Sequence, residues 1–357
     1  MQKAPSIIVF STQYMPTGGI ESHLKEFCYR MKSSGVDIDL VILNSKMLPE
    51  TEEFFKKNCR RVFLCKRGRS LDRIIWLLFN GIRISGHFYD ALYTNGQGES
   101  INLFSKLVRH RHTWVHHHHT AGDADDQTTW GNEYKKVLEL ADTIIACSCV
   151  NARNMELRLN RRVKNIPCFS RDASGIIPEK KDRLKFGYYG RLIREKGIDI
   201  LCSLGNDEDL KEVEIHIWGE GADYAPDFFL GHPNVHYHGA FFGDAELSRI
   251  IGQLDAYLLI STHPEGLPIS LLEVMSAGLP WLATDRGGIP DIACDPLSTR
   301  VIPASSNYRD VKNAVLNLAA DINNGRINNN LQKDLYLKKF SALVLVKRWH
   351  EVLGLYA

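Results

Sequence analysis

Two carboxylates, Glu265 and Glu273, stand eight positions apart in PEGLPISLLEVMSAGLP (264–280). The apolar segment before them, DAYLLIST (255–262), reads as a buried strand, and PWLATD (280–285) after them reads as another. Glu265 is therefore expected where a strand's carboxyl end opens into a loop, and Glu273 inside the following helix. In a parallel α/β sheet that edge is where ligands bind. A carboxylate just before a helix and another one to two turns in can both reach a ligand at the helix start. Backbone N–H groups there, those of Leu267 and Ile269 among them, can meet hydroxyls or anionic oxygens. The plainer alternative is a surface loop glutamate and a second glutamate on a solvated helix face.

Three further segments carry chemistry. Gly190-Arg191-Leu192-Ile193-Arg194-Glu195-Lys196-Gly197 sets cations on one strand–helix loop, where fixed Arg and Lys can stabilise an anionic group. Pro16-Thr17-Gly18-Gly19-Ile20-Glu21 joins the first strand to the first helix, and paired glycines there let a phosphate approach the helix N-terminus closely. The run His116–His119 continues the strand Thr113-Trp114-Val115. Alternation puts His116 and His118 on one face and His117 and His119 on the other, so adjacent rings do not converge on one ion. No cysteine spacing completes a metal site with them, and none is expected. Asp123-Ala124-Asp125 matches a three-residue metal pattern, but so do Asp37-Ile38-Asp39 and Asp207-Glu208-Asp209, and none has the strand context such a site needs.

Together these segments resemble the GT4-type retaining glycosyltransferases, which have the GT-B fold. Residues 264–273 resemble that family's E-x7-E signature, 190–197 its G-R-x-x-x-x-K-G loop and 18–21 its GGxE loop. Gly219-Glu220-Gly221 and Gly287-Gly288-Ile289-Pro290-Asp291 resemble its strand-end glycine loops, with Asp291 in place of the usual Glu. The resemblance implies that Glu265 lies beside the donor sugar, that Glu273 holds the nucleotide ribose, and that Arg191 and Lys196 grip the diphosphate. It implies donor contacts from Gly18, Gly19, Gly190, Gly266, Leu267, Pro268 and Ile269. Pro268 stands where many relatives carry Gly, which removes one backbone donor. It also implies a histidine near sugar and acceptor, best matched by His119 with His118 second, and an acceptor side that includes Asn95 and Asp123. The expected activity is transfer of a sugar, with retention, from a nucleotide diphosphate sugar to a glycan or lipid-linked hydroxyl in cell-surface polysaccharide assembly. UDP is favoured over GDP, and neither a cofactor nor a metal is expected.

The elements that must position these residues alternate along the chain. Strands are expected at 6–12, 37–44, 61–66, 90–95, 112–119, 142–148 and 163–168, then at 184–190, 213–219, 234–240, 256–261, 281–285 and 299–304, with helical segments between. SRDASGIIPEKKDR (170–183) reads as a linker. The expected organisation is an acceptor-binding Rossmann-like domain over 1–170 and a nucleotide-sugar-binding one over 171–340. They would face a central cleft, with a helix over 341–357 returning to the first.

Composition narrows the rivals. At 357 residues there is length for two domains, no apolar run approaches a membrane span, and the N-terminal stretch is too short for a signal peptide. Eight scattered cysteines suggest reduced thiols and a cytoplasmic setting. Of 44 Lys/Arg and 42 Asp/Glu, residues 1–170 hold 24 and 17, leaving 20 and 25 for the rest, so +7 faces −5. A basic first half suits an anionic membrane face. Arg60, Arg61, Lys66, Arg67, Arg69 and Arg73 abut the apolar run Ile74–Phe79 and could form an interfacial helix, with a core helix slightly favoured. Nucleic acid is disfavoured as a partner, and a dinucleotide dehydrogenase lacks its full fingerprint. A GT-B-type sugar-nucleotide epimerase and a non-catalytic nucleotide-sugar-binding protein stay open.

Overall fold

The computed structural model of the chain describes residues 4–16, 18–176 and 183–355. It divides into two compact units, Met1–Phe169 with Ala342–Ala357, and Ser170–Ser341.

The first unit runs β1 (Ser6–Ser11), α1 (Gly19–Ser33), β2 (Asp37–Ile42), α2 (Pro49–Asn58), β3 (Arg61–Leu64), α3 (Ser70–Ser85) and β4 (Phe88–Asn95). It continues with α4 (Ser100–Leu107), β5 (Arg109–His118), α5 (Ala124–Thr128), α6 (Asn132–Leu140), β6 (Thr143–Ala146), α7 (Cys149–Leu159) and β7 (Lys164–Asn165). Its seven strands are all parallel, in the order β3-β2-β1-β4-β5-β6-β7. β1 is buried at every position, as expected of a strand covered on both faces by crossover helices.

The second unit runs β8 (Leu184–Tyr189), α8 (Ile198–Gly205), β9 (Val213–Trp218), β10 (Val235–Tyr237), α9 (Gly243–Gln253), β11 (Ala256–Leu259), α10 (Ile269–Ala277), β12 (Trp281–Thr284), β13 (Thr299–Ile302), α11 (Tyr308–Asn323) and α12 (Asn329–Lys339). Its six strands are also parallel, ordered β10-β9-β8-β11-β12-β13. Both sheets thus reverse their winding beside their first strand, between β1 and β4 and between β8 and β11, and such reversals place a crevice at the strands' carboxyl ends.

The final helix, α13 (Ala342–Leu353), belongs to the first unit. It buries Leu345, Trp349, Val352 and Leu353 in a core that includes Ile7, Val9, Phe27 and Tyr93. The Trp349 ring lies 4.9 Å from both Phe27 and Tyr93. Each such fully buried side chain contributes about 1.5–3 kcal/mol, so a few anchors suffice to hold the helix on that sheet.

The segment expected as a linker is only partly so. Ser170 meets Tyr336 at 3.3 Å, Arg171 reaches Glu273, and the Ala173 N–H donates to Ser276 Oγ at 2.8 Å. These contacts tie 170–173 into the second unit, while 177–182 fall outside the described residues.

Candidate active site

The carboxyl edge of the second sheet collects the carboxylates and cations that the sequence singled out. β11 ends at Leu259, and residues 260–268 form the loop into α10, whose N-cap is Pro268. Glu265 sits in that loop, only 6 % exposed. Two glycines allow the loop its path. At Gly287, φ is +54° and a Cβ would fall 1.7 Å from the Glu265 carbonyl oxygen; at Gly197, φ is +74° and a Cβ would fall 2.2 Å from that of Ile260. No side chain fits either position, so the chain packs backbone against backbone. Ser261 Oγ donates to Glu265 Oε1 at 2.7 Å, and the His263 N–H donates to Ser261 Oγ at 3.1 Å.

Lys196, on the loop after β8, forms an ion pair with Glu265 Oε1. The structure therefore joins two residues to which the resemblance gives separate tasks, one on the diphosphate and one on the sugar. Arg191, on the same loop, is exposed and has no ion-pair partner among the described residues, and the Tyr188 hydroxyl donates to its carbonyl at 2.8 Å. Gly190 leaves β8 with its N–H on Trp218 O at 3.1 Å. Gly266 accepts from the Gly288 N–H at 3.0 Å, while Leu267 is buried and Ile269 opens α10.

Glu273 lies inside α10, 1 % exposed, and each of its carboxylate oxygens accepts a hydrogen bond. Arg171 Nε donates to Oε1 at 2.7 Å and the Tyr189 hydroxyl to Oε2 at 3.1 Å. The Tyr257 hydroxyl reaches Ser270 Oγ at 2.9 Å in the same layer. Burial, then the Glu273 charge, push the Tyr189 phenol well above its ordinary pKa, so it stays a donor. Arg171, Tyr189 and Ser261 did not stand out in the sequence. Arg171 falls in the stretch read as linker, and the other two look like ordinary strand residues.

In the first unit the carboxyl ends of β1, β4 and β5 carry Gly18–Gly19, Asn95 and the histidine run. Gly18 is the N-cap of α1 and Gly19 its first residue. The histidines split by face as alternation requires. On one side His116 Nε2 and His118 Nδ1 meet the Tyr134 hydroxyl at 2.9 and 2.7 Å, and His118 Nε2–H donates to Asp126 Oδ2 at 2.8 Å. Asp126 also accepts from the Thr120 hydroxyl and the Gly122 N–H at 2.6 and 2.9 Å. Burial raises its pKa, but the donors, His118 first, outweigh it and hold the carboxyl below the usual range.

On the other side His117 and His119 face Tyr93, Cys147 and Cys168, and His119 Nε2 bonds Asn95 Oδ1. Burial pushes both imidazoles down to about 3, so both are neutral near pH 7. The expectation that no cysteine completes a cluster with the histidines is corrected here. Cys147 follows β6 and Cys168 follows β7, brought to the β5 end by parallel pairing that no local spacing reveals. Asp123 is the N-cap of α5, accepting the Asp126 N–H at 3.0 Å. Its pattern with Asp125 reflects a helix start.

Two parallel Rossmann-like sheets, each with its charged or histidine-rich carboxyl edge, and a final helix packed on the first sheet are the GT-B fold. The family model described as "Glycosyl transferases group 1" matches residues 183–321, most of the second unit. Over those residues the chain is similar to the group 1 glycosyl transferases. It is 38 % identical over 108 residues to the sulfoquinovosyl transferase of Arabidopsis thaliana, covering 29 % of this chain and 20 % of that one. It is 26 % identical over 210 residues to the GtfA subunit of the UDP-N-acetylglucosamine–peptide N-acetylglucosaminyltransferase of Streptococcus pneumoniae, covering 54 % and 41 %. The chain thus spans well under two thirds of the length of these curated relatives. Among solved structures, Anabaena HepE in complex with UDP-glucose superposes with a TM-score of 0.78 at 15 % identity, covering 98 % of this chain and 100 % of that one.

Proposed function

We propose that the chain transfers a sugar, with retention of configuration, from a nucleotide diphosphate sugar to a glycan or lipid-linked acceptor hydroxyl, with UDP as the favoured nucleotide. The observation that carries this reading is the Lys196–Glu265 pair beside the exposed Arg191 at the point where the second sheet reverses its winding. The names of the curated Streptococcus relative and of the HepE complex, both UDP-linked, support the choice of nucleotide.

The second unit binds the donor. Arg191 and Lys196 meet the diphosphate, Glu265 shares Lys196 with it and faces the sugar, and the α10 start with Pro268, Leu267 and Ile269 lies beside them. Glu273 holds the ribose only through the carboxylate edge left by Arg171 and Tyr189. In the transfer the bond from the anomeric carbon to the diphosphate oxygen breaks, and the leaving diphosphate keeps the electron pair. The acceptor oxygen bonds the same carbon on the same face, and its proton passes to a departing phosphate oxygen. Positive charge fixed at Arg191 and Lys196 stabilises the developing anion, so the step itself draws on no metal. The first unit takes the acceptor, with Asn95, His118, His119 and Asp123 on its edge. The exposed apolar face of α3, flanked by arginines, holds the protein at an anionic membrane surface on the cytoplasmic side, where a lipid-linked acceptor for cell-surface polysaccharide would lie.

The test is thermal stabilisation of the purified protein by UDP-glucose, UDP-galactose, UDP-N-acetylglucosamine and GDP-mannose, with release of free nucleotide diphosphate followed in parallel. A saturating ligand at a hundred times its Kd stabilises by about 2.7 kcal/mol. Stabilisation by one donor, lost in Arg191→Ala, and nucleotide release once an acceptor glycan is added are expected. No stabilisation by any of the four, or stabilisation unchanged in Arg191→Ala, overturns the assignment.

A further inference from the structure

His117, Cys147 and Cys168 carry no role in the proposed transfer, yet their ligating atoms converge with that of His119, at the acceptor edge, in the interior of the first unit. All lie within 4.8 Å of one another and all four residues are buried. Cys147 Sγ is 3.6 Å from Cys168 Sγ, 3.4 Å from His117 Nε2 and 3.7 Å from His119 Nδ1, and Cys168 Sγ is 3.4 Å from His119 Nδ1. We propose that these residues form a closed tetrahedral His2Cys2 site for a zinc ion, which clamps the carboxyl ends of β5 and β6 to the segment after β7.

The edge lengths carry the argument. With Zn–S of about 2.3 Å and Zn–N of about 2.0–2.1 Å, a tetrahedron has S···S edges of about 3.8 Å and S···N edges of about 3.5 Å. The four edges at Cys147 and between Cys168 and His119 sit within a few tenths of an ångström of these, and the other two, from His117 to His119 and to Cys168, stay within 4.8 Å. Sulfur and imidazole ligands in this number and geometry select zinc over calcium or magnesium. Two thiolates and two neutral imidazoles also balance the ion's charge, as burial demands, and loading releases two thiol protons.

The outer contacts fit as well. A ligating imidazole must present a lone pair to the metal and give its other N–H to an acceptor. For His119 that acceptor is Asn95 Oδ1 on Nε2, which leaves Nδ1 as the lone pair aimed between the two sulfurs. For His117 it is the Tyr93 oxygen, 3.2 Å from Nδ1, which leaves Nε2 for the ion. The Phe169 N–H donates to His23 Nδ1 at 3.0 Å, so neutral His23 carries its proton on Nε2 and donates to the same Tyr93 oxygen at 2.9 Å. Tyr93 has two lone pairs and accepts from both rings. The site has no open fourth position, so its role is structural. A loaded site also occupies His119 Nδ1, which removes that ring from proton transfer to sugar or acceptor.

The experiment measures metal content and spectrum on the intact chain. Protein produced with zinc should carry one zinc per chain, falling to none in the Cys147→Ser/Cys168→Ser double variant. Protein produced with cobalt(II) in its place should show a thiolate-to-cobalt charge-transfer band and the intense visible bands of a tetrahedral ion, which tests the site even if the variant fails to fold. Zinc-free, cobalt-silent wild-type protein overturns the proposal. So does denatured, unreduced protein that shows two fewer reactive thiols than after reduction, because Cys147 and Cys168 would then be a disulfide. Donor binding is measured separately, so loss of the zinc result leaves the transferase reading standing, and the reverse.

Discussion

At the scale of single residues, the carboxyl edge of the second sheet mixes two kinds of charge, and they should respond differently to substitution. Arg191 is exposed and has no ion-pair partner among the described residues, so it costs the fold nothing to remove. Arg191→Ala should melt within about 0.5 kcal/mol of the parent and lose about 10²–10³-fold in kcat. Glu273 is the opposite case. It is buried against Arg171 and Tyr189, and removing one partner of a buried pair leaves the other uncompensated, at about 3–5 kcal/mol. Glu273→Ala should therefore destabilise strongly in urea melts, while Glu273→Gln, which keeps two polar atoms in place, should destabilise less. A Glu273→Ala protein as stable as the parent would mean that the Arg171 contact is not formed in solution. Lys196 falls between the two, because among the described residues its partner Glu265 keeps only Ser261 when the ammonium is lost.

At the scale of elements, α3 shows what periodicity can and cannot say. Its apolar positions are legible in the sequence, but a spacing names a face without naming what covers it. The structure turns Leu71, Ile75, Phe79 and Ile82 outward, the last two 68 % and 74 % exposed, and buries Leu77 and Ile84 on the other side. The core helix favoured from the sequence is thus corrected to a helix with an uncovered apolar stripe. Arg60 and Arg61, counted with its basic flank, are instead spent on the buried Asp39, and Arg73 turns to the Arg67 and Gly68 carbonyls, which leaves Arg67, Arg69 (paired with Asp72) and Arg83 exposed near the helix ends. An apolar face with arginine near its ends suits an anionic lipid surface, at about 1 kcal/mol per basic residue near the surface. Sedimentation with phosphatidylserine vesicles should retain the protein, weaken with salt and fail in Phe79→Asp/Ile82→Asp. Equal retention by neutral and anionic vesicles, or by that variant, would exclude this role. The strands were far more legible. Every expected strand has a counterpart, because buried parallel strands are continuous apolar runs bounded by turn residues. The 147–168 thiol pair was not legible, since contacts 28 to 49 positions away from the histidines depend on sheet order.

At the scale of the whole molecule, buried imidazoles set how the fold meets acid. Among the described residues, burial holds His23 and His116 well below their ordinary pKa and His216 at about 4, the last despite Glu214 at 3.2 Å. In the unfolded chain each titrates near 6.5. Between about pH 6.5 and pH 4 the unfolded state therefore binds protons that the folded state refuses, and stability rises with pH. The contribution is fully present above about pH 7 and is lost as pH falls toward the depressed folded values. Each tenfold loss of proton affinity on folding corresponds to about 1.4 kcal/mol, so His216 alone contributes about 3 kcal/mol at most. Asp126, held below the usual carboxyl range, acts in the same direction, but its contribution is lost only below about pH 4. The two groups thus predict one continuous decline with two onsets. Thermal melts at constant ionic strength should be flat from pH 8 to 7, fall from pH 6.5 to 5 through the histidines, and fall again below pH 4. His216→Gln should shallow the first limb and leave the second, because Asp126 lies in the other unit. A melting temperature that is level from pH 7 to 5 would show that these rings are solvated in the native protein, and with them the packing of the β5 end on which the histidine cluster depends.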